Sequence, residues 1–233
     1  MKLSPLGDQA ILARFDDEAM AAHWAVSLSA AAPSWLVDVV PAYASVGVFF
    51  DPAQIRIRQA EPWLQEFIPL PSLRATTESD AEVLAIPCCY EMGTDLAFVA
   101  EHLRLTTAEV INLHTSVEYR VYAIGFCPGF PYLGYLPNRL SGVPRLGTPR
   151  LRVEAGSVGL TGRQTGIYAL PSPGGWPLIG RTPLTLVDLV TEFFAFSVGI
   201  RVRFSPIDAS EFDVRLGDRL RRNGGRPGSG PRW

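Results

Sequence analysis

"EYRVYAIGFCPGFPYLGYLP", residues 118–137, runs from a strand-like stretch into a segment, 125–137, that packs three prolines, three glycines and four aromatics into thirteen positions. No regular strand or helix is written that way. Proline fixes φ and removes a backbone donor, while glycine opens conformations that other residues avoid, so their alternation specifies a loop of one shape. Such a loop either turns a corner beneath a core or presents groups to a ligand or partner. Onward from residue 118, short apolar runs alternate with Gly/Pro turns to about Ile207, the pattern of a β-barrel or sandwich.

Upstream the pattern changes. The strand "VLAIPCCY" (83–90) precedes two short helices expected near 95–104 and 107–115, the second opened by a capping box of Thr106 and Glu109. The helix pair has the spacing of a helix-turn-helix, but its second helix offers Glu109, Asn112 and His114 and no cation for phosphates, which argues against DNA. His114 follows Val110 and Ile111 on the apolar face, where it is either a satisfied core histidine or a binding or proton-transfer group. Earlier still, "QAILARF" (9–15) and "YASVGVFF" (43–50) read as strands around a helix in "DDEAMAAHWAVSLSAAA" (16–32), a small α/β unit. The Pro/Ser/Thr-rich stretch 69–82 is the expected linker.

Composition narrows the chemistry. The chain has 233 residues, is 47% hydrophobic and 19% charged, and carries a net charge of −2, all consistent with a soluble protein and against a nucleic-acid role. No apolar run is long enough to span a membrane, and the first residues lack a secretory signal, so a cytoplasmic location is expected. Cys88, Cys89 and Cys127 fit reduced thiols and have no metal-ligand spacing, so no metal site is expected. Lys2 is the single lysine against 20 arginines, which argues against Schiff-base, Walker-loop and biotin-carrier chemistry, and no G-x-S-x-G elbow occurs. Between 138 and 181, Arg139, Arg145, Arg150, Arg152, Arg163 and Arg181 face one acid, Glu154, a balance of +5 within a glycine-rich run. That stretch is either a solvated basic surface or a place for an anion.

Two long segments, "LHTSVEYRVYAIGFCPGFPYLGYLPNRL" (113–140) and "GTPRLRVEAGSVGLTGRQTGIYALPSPGGWPLIGRTPL" (147–184), resemble the family of 5-oxoprolinase B-component subunits, allophanate hydrolase subunit 1 and kinase-inhibitor I-like proteins. The family is similar to half of a urea carboxylase carboxyltransferase domain (subdomain C and D). The stretches 5–15 and 39–52 resemble it too, so the match runs from about residue 3 to 215. The resemblance implies an α+β chain with a ferredoxin-like α/β domain over 1–78 and a cyclophilin-like β-barrel over 79–216. Residues 217–233, rich in Gly, Pro and Arg, are expected to be a disordered tail.

The implied activity is ATP-dependent opening of 5-oxoproline to glutamate, by a complex with a homologous barrel protein, the C component, and a separate A component. The chain would be inactive alone, and ATP would be bound by the complex at an unlocated site. Inhibition of a sensor histidine kinase, or processing of an allophanate- or urea-like amide, is the alternative. Carried onto this sequence, the family pattern falls on Pro128, Gly129, Phe130, Tyr132, Arg150, Gln164, Gly166, Tyr168, Trp176 and Arg181 among others, without assigning which of them touch a ligand. His114, Arg150, Gln164 and Arg181 are expected to be catalytic, and Pro128, Gly129, Phe130, Tyr132, Arg152, Gly166, Tyr168 and Trp176 to be substrate- or partner-binding. Within the opening loop, Phe130 and Tyr132 are the expected presented rings. One departure from the pattern falls near the end, where Gly199-Ile200 replaces a Pro-Gly-Asp turn before the last strand.

Overall fold

The strands and helix expected before the linker are formed, with three further elements that sequence periodicity did not disclose. A computed structural model of the chain describes residues 1–69 and 83–220, so the expected linker lies outside the described residues except for Pro69. The chain divides into two units, Met1–Asp80 and Ala81–Trp233.

In the first unit, β1 (Lys2–Pro5), β2 (Ala10–Arg14), α1 (Glu18–Ala31), β3 (Leu36–Ala42), β4 (Ser45–Phe50) and α2 (Ile57–Glu66) follow in order. The sheet is antiparallel throughout, in the order β1-β2-β4-β3. Asp17 starts α1 by accepting the Met20 N–H at 2.7 Å, satisfying a donor that the first helical turn leaves open. Ala21, Trp24, Ala25 and Leu28 then recur at helical spacing and bury against Ile11, Val46, Val48 and Phe50 on one sheet face. The strand β3 was unreadable because it is an edge with Val37 and Val40 exposed, so no inward-outward alternation marks it.

The second unit begins with β5 (Val83–Cys89), α3 (Leu96–Leu103) and α4 (Thr107–Thr115). The expected box opens α4: Thr106 Oγ1 accepts the Glu109 N–H at 3.1 Å, and Glu109 accepts the Thr106 N–H at 2.9 Å. Then come β6 (Tyr119–Ile124), β7 (Pro131–Gly134), β8 (Arg150–Val153), β9 (Ser157–Thr161), β10 (Gln164–Ile167), β11 (Ser172–Gly174) and β12 (Leu178–Arg181). The short β13 (Val187–Asp188) and β14 (Phe193–Phe194), then β15 (Arg201–Ile207) and α5 (Ala209–Arg215), complete it. Seven strands close a barrel in the order β10-β7-β6-β15-β5-β12-β9. The last strand runs parallel to the first, from Arg201 beside Val83 to Ile207 beside Cys89. That pairing joins distant parts of the chain, which local pattern cannot announce. Gly199 turns into β15 at φ +94° and donates its N–H to Val121 at 2.8 Å, so the departure from the family's Pro-Gly-Asp turn does not prevent the final strand.

Alternation sorts the barrel wall. Leu84, Ile86, Tyr119, Val121, Leu133, Val158, Leu160, Ile167, Ile179, Val202 and Phe204 fill the interior, leaving a packed core and not a pore. Residues 217–220, expected in the tail, lie against the barrel unit: Gly217 donates to the Pro183 carbonyl at 3.0 Å, and Arg219 pairs with Asp188. Residues 221–233 lie outside the described residues.

Candidate functional site

The four residues expected to be catalytic do not converge. His114 is fully buried inside the barrel. Its Nδ1 lies 2.7 Å from the Tyr90 hydroxyl and its Nε2 3.0 Å from Thr165 Oγ1, which donates to the Gly159 carbonyl at 3.0 Å. Because the threonine proton goes to the carbonyl, Nε2 must carry the ring proton and Nδ1 must accept from Tyr90. Tyr90 also lies within hydrogen-bonding reach of the Cys88 thiol. From Tyr90 to the Gly159 carbonyl the relay therefore has one direction at every link, and it ties the end of β5, α4, β10 and β9 together. Burial pushes the imidazole down to about 3, so it is neutral. Of the two readings of this apolar-face histidine, the core one describes its surroundings.

The opening loop is corrected in part. Its "CPGF" forms a β-turn closed by Phe130 N–H on the Cys127 carbonyl at 3.2 Å, with Pro128 second and Gly129 third at φ +74°. This is the type II turn that proline and glycine at those positions favour. A Cβ on Gly129 would meet Val187 Cγ2 at 2.1 Å, so space as well as dihedral demands glycine. Phe130 is not presented, being only 2% exposed. Its ring lies against Gly166 on the outside of the wall, where a Cβ would stand 2.8 Å from Phe130 Cζ. Gly166 pairs with Gly159, and Trp176 Cβ would stand 3.1 Å from a Cβ there. Two adjacent glycines thus cut a trough in the outer wall. Phe130 fills its centre, with Tyr132, Tyr168 and Trp176 edge-on around it at 4.9, 5.3 and 5.6 Å. Tyr168 and Trp176 are buried as well, so of the expected binding aromatics only Tyr132 keeps partial exposure. The exposed ring of the loop is Phe126, at 61%.

Each arginine has its own setting. Arg150 Nη2 reaches both oxygens of Asp95 at 2.6 and 2.8 Å, and Asp95 also accepts the Leu178 N–H at 2.7 Å, clamping the start of α3 to β12. Arg181 stands at the other end of β12, its Nε donating to the Ala155 carbonyl at 2.9 Å and its guanidinium over Phe212 of α5. Arg152 is exposed and paired with Glu154 at 2.7 Å. Gln164 is half-buried at the start of β10, opposite Thr161 and Gly134. Asp95 was not singled out in the sequence because an acid before a helix reads as a cap, yet its side chain caps nothing. Arg150→Ala is expected to lower stability by on the order of 2 kcal/mol, since it strands a mostly buried carboxylate. Chemical denaturation of the variant against wild type checks this, and an unchanged midpoint would return Arg150 to a free ligand-binding role.

What does gather is a rim around the trough. Leu146 N–H binds the Gly175 carbonyl at 2.8 Å and the Pro149 ring touches Gly175, so the segment carrying Arg145 and Arg150 wraps the backbone beside Trp176. Burial raises the Tyr132 and Tyr168 phenols while nearby Arg145 opposes the rise at both, and Arg150 does so at Tyr168. The Cys127 thiol, raised chiefly by burial, faces the Ser172 hydroxyl and the Leu170 backbone. Cations beside phenols on an aromatic floor can hold an anion with an apolar body. Among the described residues, no group of three His, Cys, Asp or Glu could hold a metal.

Residues 1–195 match the carboxyltransferase domain, subdomain C and D, family. The chain belongs to that family. It is 37% identical over 208 residues to a protein of Bacillus subtilis named as the B-component subunit of 5-oxoprolinase, covering 79% of this chain and 83% of that one. A Haemophilus influenzae protein of the same name is 36% identical over 194 residues, covering 81% and 89%. Among solved structures, TTHA0988 superimposes with a TM-score of 0.74 at 38% identity, covering 87% of this chain but 41% of that one. The chain thus spans less than half the length of that solved relative. The family-like segments 113–140 and 147–184 contain the trough and, apart from Cys88 and Tyr90, the relay; Asp95 and Arg145 fall outside them.

Proposed function

We propose that this chain is the B component of an ATP-dependent 5-oxoprolinase, working with a homologous C component and a separate A component to open 5-oxoproline to glutamate. The observation that carries this is similarity at 36–37% identity, over about four-fifths of the chain, to two proteins named as that component of 5-oxoprolinase. A lactam amide is a poor electrophile, and phosphorylation of its oxygen by ATP would create a leaving group, so the complex must stabilise anionic charge. The exposed Arg145 at the trough's rim, with Tyr132 nearby, supports a place for the substrate on this chain.

Gly156 gives its N–H to the Tyr168 carbonyl, so that amide is already committed, and ATP is assigned to the complex at a site not located on this chain. Within the first unit, β2-α1-β3 is a split βαβ with β4 between its strands and β1 beside β2, which supports the ferredoxin-like reading with one edge strand supplied from the N-terminus. The closed seven-stranded wall supports the cyclophilin-like one. No described helix is long and apolar enough to cross a membrane, and we place the complex in the cytoplasm.

The test is phosphate and glutamate release from 5-oxoproline by the purified chain, alone and with both partner components. Turnover is expected only with all three. Turnover by the chain alone, or none in the full complex alongside inhibition of a histidine kinase, would overturn the proposal.

A further inference from the structure

Of the rings in the opening loop, Phe130 and Tyr132 lie in the trough and Tyr135 packs beside Tyr122 at 5.3 Å, which leaves Phe126. Cys127 N–H binds the Gly125 carbonyl across a single residue at 2.8 Å, a γ-turn, and Phe126 sits at its centre with φ +66°. Positive φ selects the rare, strained hand of that turn, and a bulky aromatic is the wrong residue to carry it. Burial does not compensate, because most of the ring is in solvent. The ring stands edge-on to Phe130 at 5.4 Å and to Tyr168 at 6.2 Å, so it rises as a wall beside the filled trough. Strained residues that contribute nothing to the core tend to be kept for a site.

Arg145 lies near Tyr168, the ring to which Phe126 stands edge-on, and near Tyr132 as well. Its segment is pinned by the Leu146–Gly175 hydrogen bond, and the residue is exposed, with no hydrogen bond or ion pair among the described residues. A planar cation, an upright aromatic face and two phenols therefore border one patch of the outer wall. The aromatic face accepts a flat apolar ring, and the guanidinium fork accepts a carboxylate.

We propose that Phe126 and Arg145 form a substrate subsite for a small cyclic amide bearing a carboxylate, Phe126 packing on the ring and Arg145 holding the acid. This rests on the reading of the chain as part of a 5-oxoprolinase. Neither residue does chemistry; both position the substrate, so their loss should appear in KM and leave kcat nearly unchanged.

The assembled three-component complex is the material for the test. Arg145→Gln is expected to raise the KM for 5-oxoproline about ten-fold, with kcat within about two-fold, while leaving the inhibition constant of 2-pyrrolidinone, which lacks the carboxylate, unchanged. Phe126→Gly should weaken both ligands, and its melting temperature should equal or exceed that of wild type, because glycine relieves the positive φ. Wild-type KM in both variants would overturn the subsite. So would a lower melting temperature in Phe126→Gly, which would make the ring structural, or an equal loss of 2-pyrrolidinone in Arg145→Gln. Should the wild-type complex turn nothing over, calorimetry with 5-oxoproline on the same preparations separates the two claims. Binding by wild type that both variants lose upholds the subsite while the assigned activity fails; equal binding in all three, or none in any, overturns it.

Discussion

Phe130→Ala is expected to lower the melting midpoint of the barrel unit by roughly 10 °C. Truncating a buried phenylalanine costs about 3–5 kcal/mol, and each kcal/mol moves a unit of this size by a few degrees. The site resists collapse for a particular reason. Phe130 is the hub against which Phe126, Tyr132, Tyr168 and Trp176 all stand, and its floor is the backbone of Gly166, which has no side chain to move into the void. Gly166→Ala should do comparable harm from the other side, since its Cβ would lie 2.8 Å from Phe130 Cζ and 3.0 Å from the Pro131 carbonyl. Differential scanning calorimetry of both variants is the check. A midpoint within about 2 °C of wild type for Phe130→Ala would mean the trough tolerates an empty centre.

That expectation reverses what the loop alone suggests, and the reversal shows where sequence reading stops. Pro128 and Gly129 were legible as a turn because each acts locally, through a fixed φ and a permitted one. The destination of Phe130 was not, because it depends on Gly166 and Gly159, residues on strands that reach it only through barrel pairing. The same holds for Asp95 and Arg150, 55 positions apart in the chain. In the helix pair, Thr106, Glu109 and the apolar face of α4 were readable, being i to i+3 and i to i+4 relations. Arg145 was visible only as one of six arginines, and the fact that separates it from Arg150, Arg152 and Arg181 is the partners those three have and it lacks. Phe126 gave no signal at all, since a positive φ at a non-glycine is invisible in sequence.

Between pH 7 and pH 5 the barrel unit is expected to lose about 2 kcal/mol of stability through His114 alone. The folded imidazole is held at about 3 against 6.5 when free, so over that window the unfolded chain takes up a proton that the folded chain refuses. Stability is therefore complete above about pH 6.5, falls as the pH drops below it, and stops falling once the folded ring also titrates near pH 3. The cause is local: Nδ1 is committed as an acceptor to Tyr90 and Nε2 as a donor to Thr165, so a second ring proton would have to displace the Tyr90 hydroxyl in a fully buried space. Carboxylates held below their usual range, such as Asp51 and Glu109, act with the same sign but at lower pH, from about 4.5 down. The pH 5–7 interval thus isolates the histidine. His114→Gln, which cannot titrate, should be less stable than wild type at pH 7 yet lose about 2 kcal/mol less on going to pH 5. Urea unfolding of both proteins at the two pH values measures the difference, and the imidazole NMR resonance gives a direct check. A ring that titrates near pH 6.5 in the folded chain would break the assigned relay and restore His114 as a proton-transfer candidate.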